Sequence, residues 1–135
     1  MSNFEVAEPI LNSPFAEPQL HWFIQSGQAP QKRDGRRAAI VFPPRNQSVP
    51  WQPNQILQSS AQYIGGFELA MVQLIRDRVK AWRAAGYPGV TRTTSELLAY
   101  WQRDGREKRL FFAQVEAAEV VIFLIEARAD FRQGI

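Results

Sequence analysis

Thirteen of the sixteen basic residues in this 135-residue chain are arginines, and eight of the sixteen form two candidate groups. Lys32, Arg33, Arg36 and Arg37 form one group, in "KRDGRR". Arg92, Arg103, Arg106 and Arg109 form the second, further along. A guanidinium is a planar fork of donors that fits phosphate or carboxylate oxygens in pairs. Both groups are therefore candidate DNA-binding residues, making sequence-independent and salt-sensitive contacts to phosphates. The competing reading is a solvated surface laced with salt bridges. Four tryptophans could add stacking: Trp22, Trp51, Trp82 and Trp101. Trp82 and Trp101 sit on apolar faces and read as core. Trp22 and Trp51 lie in a proline-rich stretch and are candidates for docking a partner.

Catalytic arrangements are harder to find. His21 is the single histidine and there is no cysteine, so it has no second His or Cys with which to share a metal, and there is no thiolate nucleophile. The pair Gly65-Gly66 lacks the lysine of a phosphate-binding loop, and no Gly-x-Ser-x-Gly elbow is present. Asp104 and Glu107 are close enough for acid–base work. However, Arg103, Arg106, Lys108 and Arg109 surround them, which makes them charge partners. We expect no catalytic residue, metal or cofactor, and no enzyme activity of the chain on its own.

The elements that position these residues differ along the chain. Residues 1–26 carry three acids and no Lys or Arg, whereas residues 69–109 carry nine basic residues against four acids. Prolines 9, 14, 18, 30, 43, 44, 50 and 53 punctuate the first part. Proline removes a backbone donor and biases its predecessor toward extended geometry. Yet this part holds Phe4, Ile10, Phe15, Trp22, Ile40 and Trp51, which a disordered tail lacks. It reads as an extended arm over residues 1–58, with little or no β-structure. "HWFI" is a short helix or strand, "AAIVF" a short strand ended by Pro43-Pro44, and "KRDGRR" a turn tipped by Asp34-Gly35.

Residues 59–135 read as a small three-helix domain, so the fold class is mainly α. Periodicity places helices at about 62–85, 93–103 and 106–131. Gly86 supplies a left-handed stop to the first, with Pro88 behind it. Thr93 and Glu96 form a capping box for the second. The third begins with Arg106, Lys108 and Arg109, cations at the end where the helix dipole disfavours them. It is also apolar over most of its circumference, and such a helix is normally buried. Two neighbours and an arm cover only part of it. Val121 and Leu124 are therefore docking candidates, either for a missing domain or for self-association.

The strings "EPILNSPFAEPQLHWFI", "GRRAAIVFPP" and "LIRDRVKAWRAAGYPGVTRTTSELLAYWQRDGREKRLFFAQVEAAEVVIFLIEARADFRQGI" together resemble one family. They look like the amino-terminal region of DEAD/DEAH-box helicases of the type III restriction endonuclease R-subunit kind. The resemblance implies a piece that precedes an ATP-driven motor, in DNA restriction or phage defence. The motor's phosphate loop and DEAH-type motif would follow this region, and the nuclease motif lies elsewhere. The resemblance thus implies a truncated product, a split subunit or an excised domain that neither hydrolyses ATP nor cuts DNA. Helix three would pack on the first motor lobe.

Two functions follow as expectations. One is a DNA-binding and docking domain of a restriction-type helicase. The other is a pure interaction module that holds the motor or a methyltransferase partner without touching DNA. Arginines clustered on one face favour the first. Arginines interleaved with Glu96, Glu107, Glu116 and Glu119 favour the second. The longest unbroken apolar run, Val120 to Ile125, is far short of the roughly 20 residues of a membrane span. With no cysteine and no signal-like start, the expected location is cytoplasmic.

Overall fold

The computed structural model describes residues 5–25, 27–41 and 66–135. Trp51, the boundary near residue 58 and the expected helix start at Gln62 lie outside the described residues. The elements in order are β1 (Leu20–Phe23), β2 (Gln31–Asp34), β3 (Ile40–Val41), β4 (Phe67–Glu68), α1 (Ala70–Ala84), α2 (Arg92–Trp101) and α3 (Phe112–Glu126). The fold is mostly helical, but it contains two small antiparallel sheets, β1–β2 and β3–β4. The expectation of little or no β-structure is corrected to that extent.

Asn12 explains why β1 forms. Its side-chain oxygen accepts from the backbone N–H of Gln19 and Leu20, and its amide donates to the Leu20 carbonyl. One asparagine thus serves three backbone groups that would otherwise need other partners. The chain then reverses through Gly27, in the left-handed region at φ 79°, and returns as β2. His21 faces Arg33, and Trp22 faces Lys32. Lys32 and Arg33 therefore lie on a strand, where the sequence reading placed a turn. Asp34 ends that strand, and the Gly35 N–H closes onto the Gln19 carbonyl at 2.7 Å.

The helices are shorter than their hydrophobic patterns suggest. Phe67 and Glu68 pair with Val41 and Ile40, which commits their backbone groups to a sheet, so α1 starts only at Ala70. The cap of α2 is Thr91, whose hydroxyl accepts from the Thr94 N–H, and not Thr93. Helix α3 starts at Phe112 because the Phe112 N–H donates to the Pro14 carbonyl at 2.8 Å and the Gln114 side chain accepts from the Phe111 N–H at 2.9 Å. Residues 106–111 form a loop, so the unfavourable placement of Arg106, Lys108 and Arg109 on a helix dipole does not arise.

The core lies between α1 and α3. Val79 and Trp82 pack with Phe123 and Ala127, flanked by Ile75, Tyr87, Val90, Val120, Ile122 and Phe131. The Trp82 ring meets the edges of Tyr87 and Phe123 at centroid distances of 4.9 and 5.4 Å. Helix α3 buries one stripe only, Val115, Glu119 and Phe123. Val121, Leu124 and Ile125 remain 58%, 42% and 71% exposed, so its apolar circumference is not fully covered.

The segment "GYPG" ties α1 to the end of α3. Gly86, Tyr87 and Gly89 all have positive φ, at 80°, 60° and 97°. Trp82 Nε1 and the Arg128 N–H both donate to the Pro88 carbonyl. A Cβ on Gly89 would lie 2.8 Å from both the Arg128 nitrogen and the Glu126 carbonyl oxygen. Those are backbone atoms, held by α3, and cannot rotate away. Gly89→Ala is expected to cost about 1–3 kcal/mol, as a side chain in a sparsely populated backbone region does. Urea denaturation checks it, and a loss below about 0.5 kcal/mol, the scatter of neutral surface changes, would show that this approach is not tight.

Candidate nucleic-acid interface

The two arginine groups meet different fates. In the first, Lys32 pairs with Glu8 at 2.9 Å while also lying over the Trp22 ring. The Trp22 indole N–H donates to the Glu8 carbonyl at 3.1 Å, so this docking candidate is already engaged by the arm. The Arg33 guanidinium stacks on Phe23, 3.5 Å from the ring centroid. Arg36 reaches α3 and grips Glu116 with two bonds of 2.6 and 2.7 Å. That hydrogen bond raises the Arg36 pKa against the opposing effect of burial. The Arg37 carbonyl accepts from Arg76 at 3.4 Å. Burial, followed by the nearby positive charge of Arg36, lowers the pKa of Arg76. Arg36 and the Arg37 carbonyl thus join this segment to α3 and α1, whereas Lys32 and Arg33 contact residues of the same segment.

Arg92 of the second group pairs with Glu96 one helical turn on, with both side chains largely exposed. Such a pair contributes only about 0.3–0.5 kcal/mol. Arg103, Arg106, Lys108 and Arg109 are different. Among the described residues, none of the four has a carboxylate within ion-pair distance. Aromatic rings position three of them instead. Arg103 and Arg106 lie over Tyr100, at 5.4 and 4.8 Å from its centroid, and Arg109 lies over Phe15 at 4.7 Å. Phe15 in turn rests against Phe111 at 5.5 Å. A ring attracts a cation through its quadrupole and leaves the net charge in place. A carboxylate neutralises it.

These side chains surround a groove of about 310 Å³ between the end of α2 and the following loop, lined by Tyr100, Arg103, Arg106, Glu107 and Lys108. Arg106 Nη1 is shielded from solvent and has no hydrogen-bond partner among the described residues. The structure thus brings Arg103 and Arg106 together with Lys108, which sequence reasoning had treated only as a neighbour. Lys32 and Arg36 differ from them in pairing with carboxylates, Glu8 and Glu116, while Arg33, like them, lies over a ring.

A polar network under this loop escaped the sequence reading. Glu119 is fully buried on α3 and accepts from Arg83 at 2.6 and 3.0 Å and from the Tyr87 hydroxyl at 3.0 Å. Gln102, the residue before Arg103, donates to Tyr87 at 2.9 Å. Burial opposes the charge on Arg83, but the hydrogen bond and charge of Glu119 outweigh it and raise the pKa. Burial also pushes the Tyr87 phenol above its usual value. Glu126 performs a similar service for α2, accepting from the Thr91 N–H and the Thr94 hydroxyl at 3.0 and 2.9 Å. The signal for both was present: Glu116, Glu119 and Glu126 recur at spacings of three and seven, which puts acids on the same stripe as Phe123.

No family model matches the chain, and neither does any curated protein or solved structure. Among the described residues there is no cluster of three metal-ligating side chains, and no helix is long and apolar enough to cross a membrane.

Proposed function

We propose that this chain is a non-catalytic module that contacts DNA through the loop between α2 and α3 and docks onto a larger protein. One observation carries the DNA part. Among the described residues, Arg103, Arg106, Lys108 and Arg109 are neighbours without acidic partners, and three of them are positioned by aromatic rings that leave their charge available. Lys32, Arg36, Arg83, Arg92 and Arg128, in contrast, each pair with a carboxylate. Free and pre-positioned cations are what phosphate contacts require, and such contacts fix position without reading sequence. The resemblance to the front region of restriction-type helicases agrees with this role and supplies a larger partner, the motor.

The reading is tested by fluorescence anisotropy with labelled duplex and single-stranded DNA, at low and moderate salt. Affinity should fall steeply as salt rises. Arg103→Glu combined with Arg106→Glu should weaken binding by about tenfold or more, since each lost phosphate contact also becomes a repulsion. Affinity indifferent to both salt and the double substitution would rule out this loop as a DNA site.

The docking part has its own observation. Val121, Leu124 and Ile125 form an exposed apolar row at helical spacing on α3. If DNA does not bind at low salt, an interaction module without DNA contact becomes the better reading, and the motor or a methyltransferase subunit becomes the partner to seek.

A further inference from the structure

The groove beside Tyr100 has a shape and charge that a duplex backbone does not need. A duplex presents singly charged phosphodiesters in rows along an extended surface. The groove is concave, at the small end of the roughly 300–1,000 Å³ range of ligand sites, with a volume of about 310 Å³. Its lining holds three cations, Arg103, Arg106 and Lys108, against one carboxylate, Glu107, for a net charge of +2. A phosphomonoester carries about −1.5 to −2 near neutral pH and offers three strong acceptor oxygens.

Preorganisation favours the same ligand. Tyr100 holds two guanidiniums at 4.8 and 5.4 Å, so their forks are partly ordered before an anion arrives. Gln102 anchors the start of the loop to Tyr87 and, through it, to buried Glu119. Less ordering remains to be done on binding, which raises affinity for a ligand that matches the cations.

From this convergence we infer that the groove formed by Tyr100, Arg103, Arg106 and Lys108 receives the terminal phosphate of a nucleic-acid strand. The inference rests on the nucleic-acid reading above and narrows it. A chain end is chosen because only there does a strand carry a phosphomonoester, whose negative charge nearly balances the positive charge of the groove.

The test uses the full chain and a short single-stranded oligonucleotide, fluorescently labelled away from the tested end. Versions carry a phosphate at the 5′ end, at the 3′ end, or at neither. A fourth has one extra nucleotide and no terminal phosphate, adding a charge elsewhere. One phosphorylated version should bind about tenfold tighter than both unphosphorylated ones, the effect of one charge-assisted hydrogen bond. Inorganic phosphate should compete away that preference. Arg106→Gln and Tyr100→Leu should abolish it, while Arg128→Gln, whose arginine pairs with Asp130 elsewhere, should keep it. Circular dichroism confirms that each variant is folded.

Equal, salt-dependent binding of all four oligonucleotides would overturn the inference and leave the DNA reading standing. Binding of none at low salt would overturn both. Tighter binding of a phosphoserine peptide than of any oligonucleotide would overturn the strand-end assignment.

Discussion

Glu119→Ala is expected to remove about 3–5 kcal/mol of stability, the usual consequence of breaking a buried ion pair from one side. The carboxylate is fully buried, and Arg83, its partner, keeps only 22% of its side-chain exposure. Without Glu119, Arg83 retains a largely buried charge that has lost its carboxylate acceptor, and the Tyr87 hydroxyl loses that acceptor as well. Typical domains have about 5–15 kcal/mol in total, so much of the margin would go. Urea denaturation with matched circular dichroism measures the loss. The combination Arg83→Met with Glu119→Leu should recover most of it, because both buried charges then disappear together. A loss under about 1 kcal/mol in Glu119→Ala, no more than an exposed pair contributes, would show that solvent reaches this pair and that the network does not support the fold. The same variant should also loosen the α2–α3 loop, since Gln102 is tied to Glu119 through Tyr87.

Trp82→Ala is expected to cost a similar amount, about 3–5 kcal/mol, for a different reason. The indole is fully buried between α1 and α3 and is among the largest side chains in the core. Its removal leaves a cavity that Val79, Phe123 and Ala127 cannot close, because Phe123 sits on α3 and Ala127 caps it, where the "GYPG" segment packs closely against the chain. Trp82→Phe separates packing from hydrogen bonding. It keeps most of the apolar contact and loses the bond to the Pro88 carbonyl, so about 1 kcal/mol should go with the bond, plus a smaller packing loss. Thermal unfolding of the two variants beside the parent distinguishes these contributions. Equal, small losses in both would mean that the α1–α3 interface tolerates a void and that the core lies elsewhere.

How much was legible beforehand depends on whether the determinant was local. The three helices were legible because their apolar residues recur at helical spacing, and Gly86 marked the end of α1 with a left-handed conformation, φ 80°. Trp82 was legible as core for the same reason. The hairpin was not. β2 reads Gln-Lys-Arg-Asp, exposed at all four positions, so it carries no alternating pattern. Its existence depends on β1, and β1 depends on Asn12, eight residues before Leu20. Helix starts were misplaced where a distant segment claimed the first backbone groups, as Pro14 does at Phe112 and β3 does at Phe67.

For the candidate site, composition and spacing determined that arginines dominate the basic residues and that eight basic residues fall in two groups. They also determined that α3 is apolar around most of its circumference, since that follows from residue types and helical spacing alone. Only the tertiary structure decided which arginines are neutralised. Arg36 meets Glu116 across 80 positions and Arg83 meets Glu119 across 36, whereas Arg103 and Arg106 meet Tyr100 instead. A charge has the same sign wherever it stands in the chain. Its availability depends on what folding places within a few ångströms, because electrostatic and hydrogen-bond energies are set by distance in space.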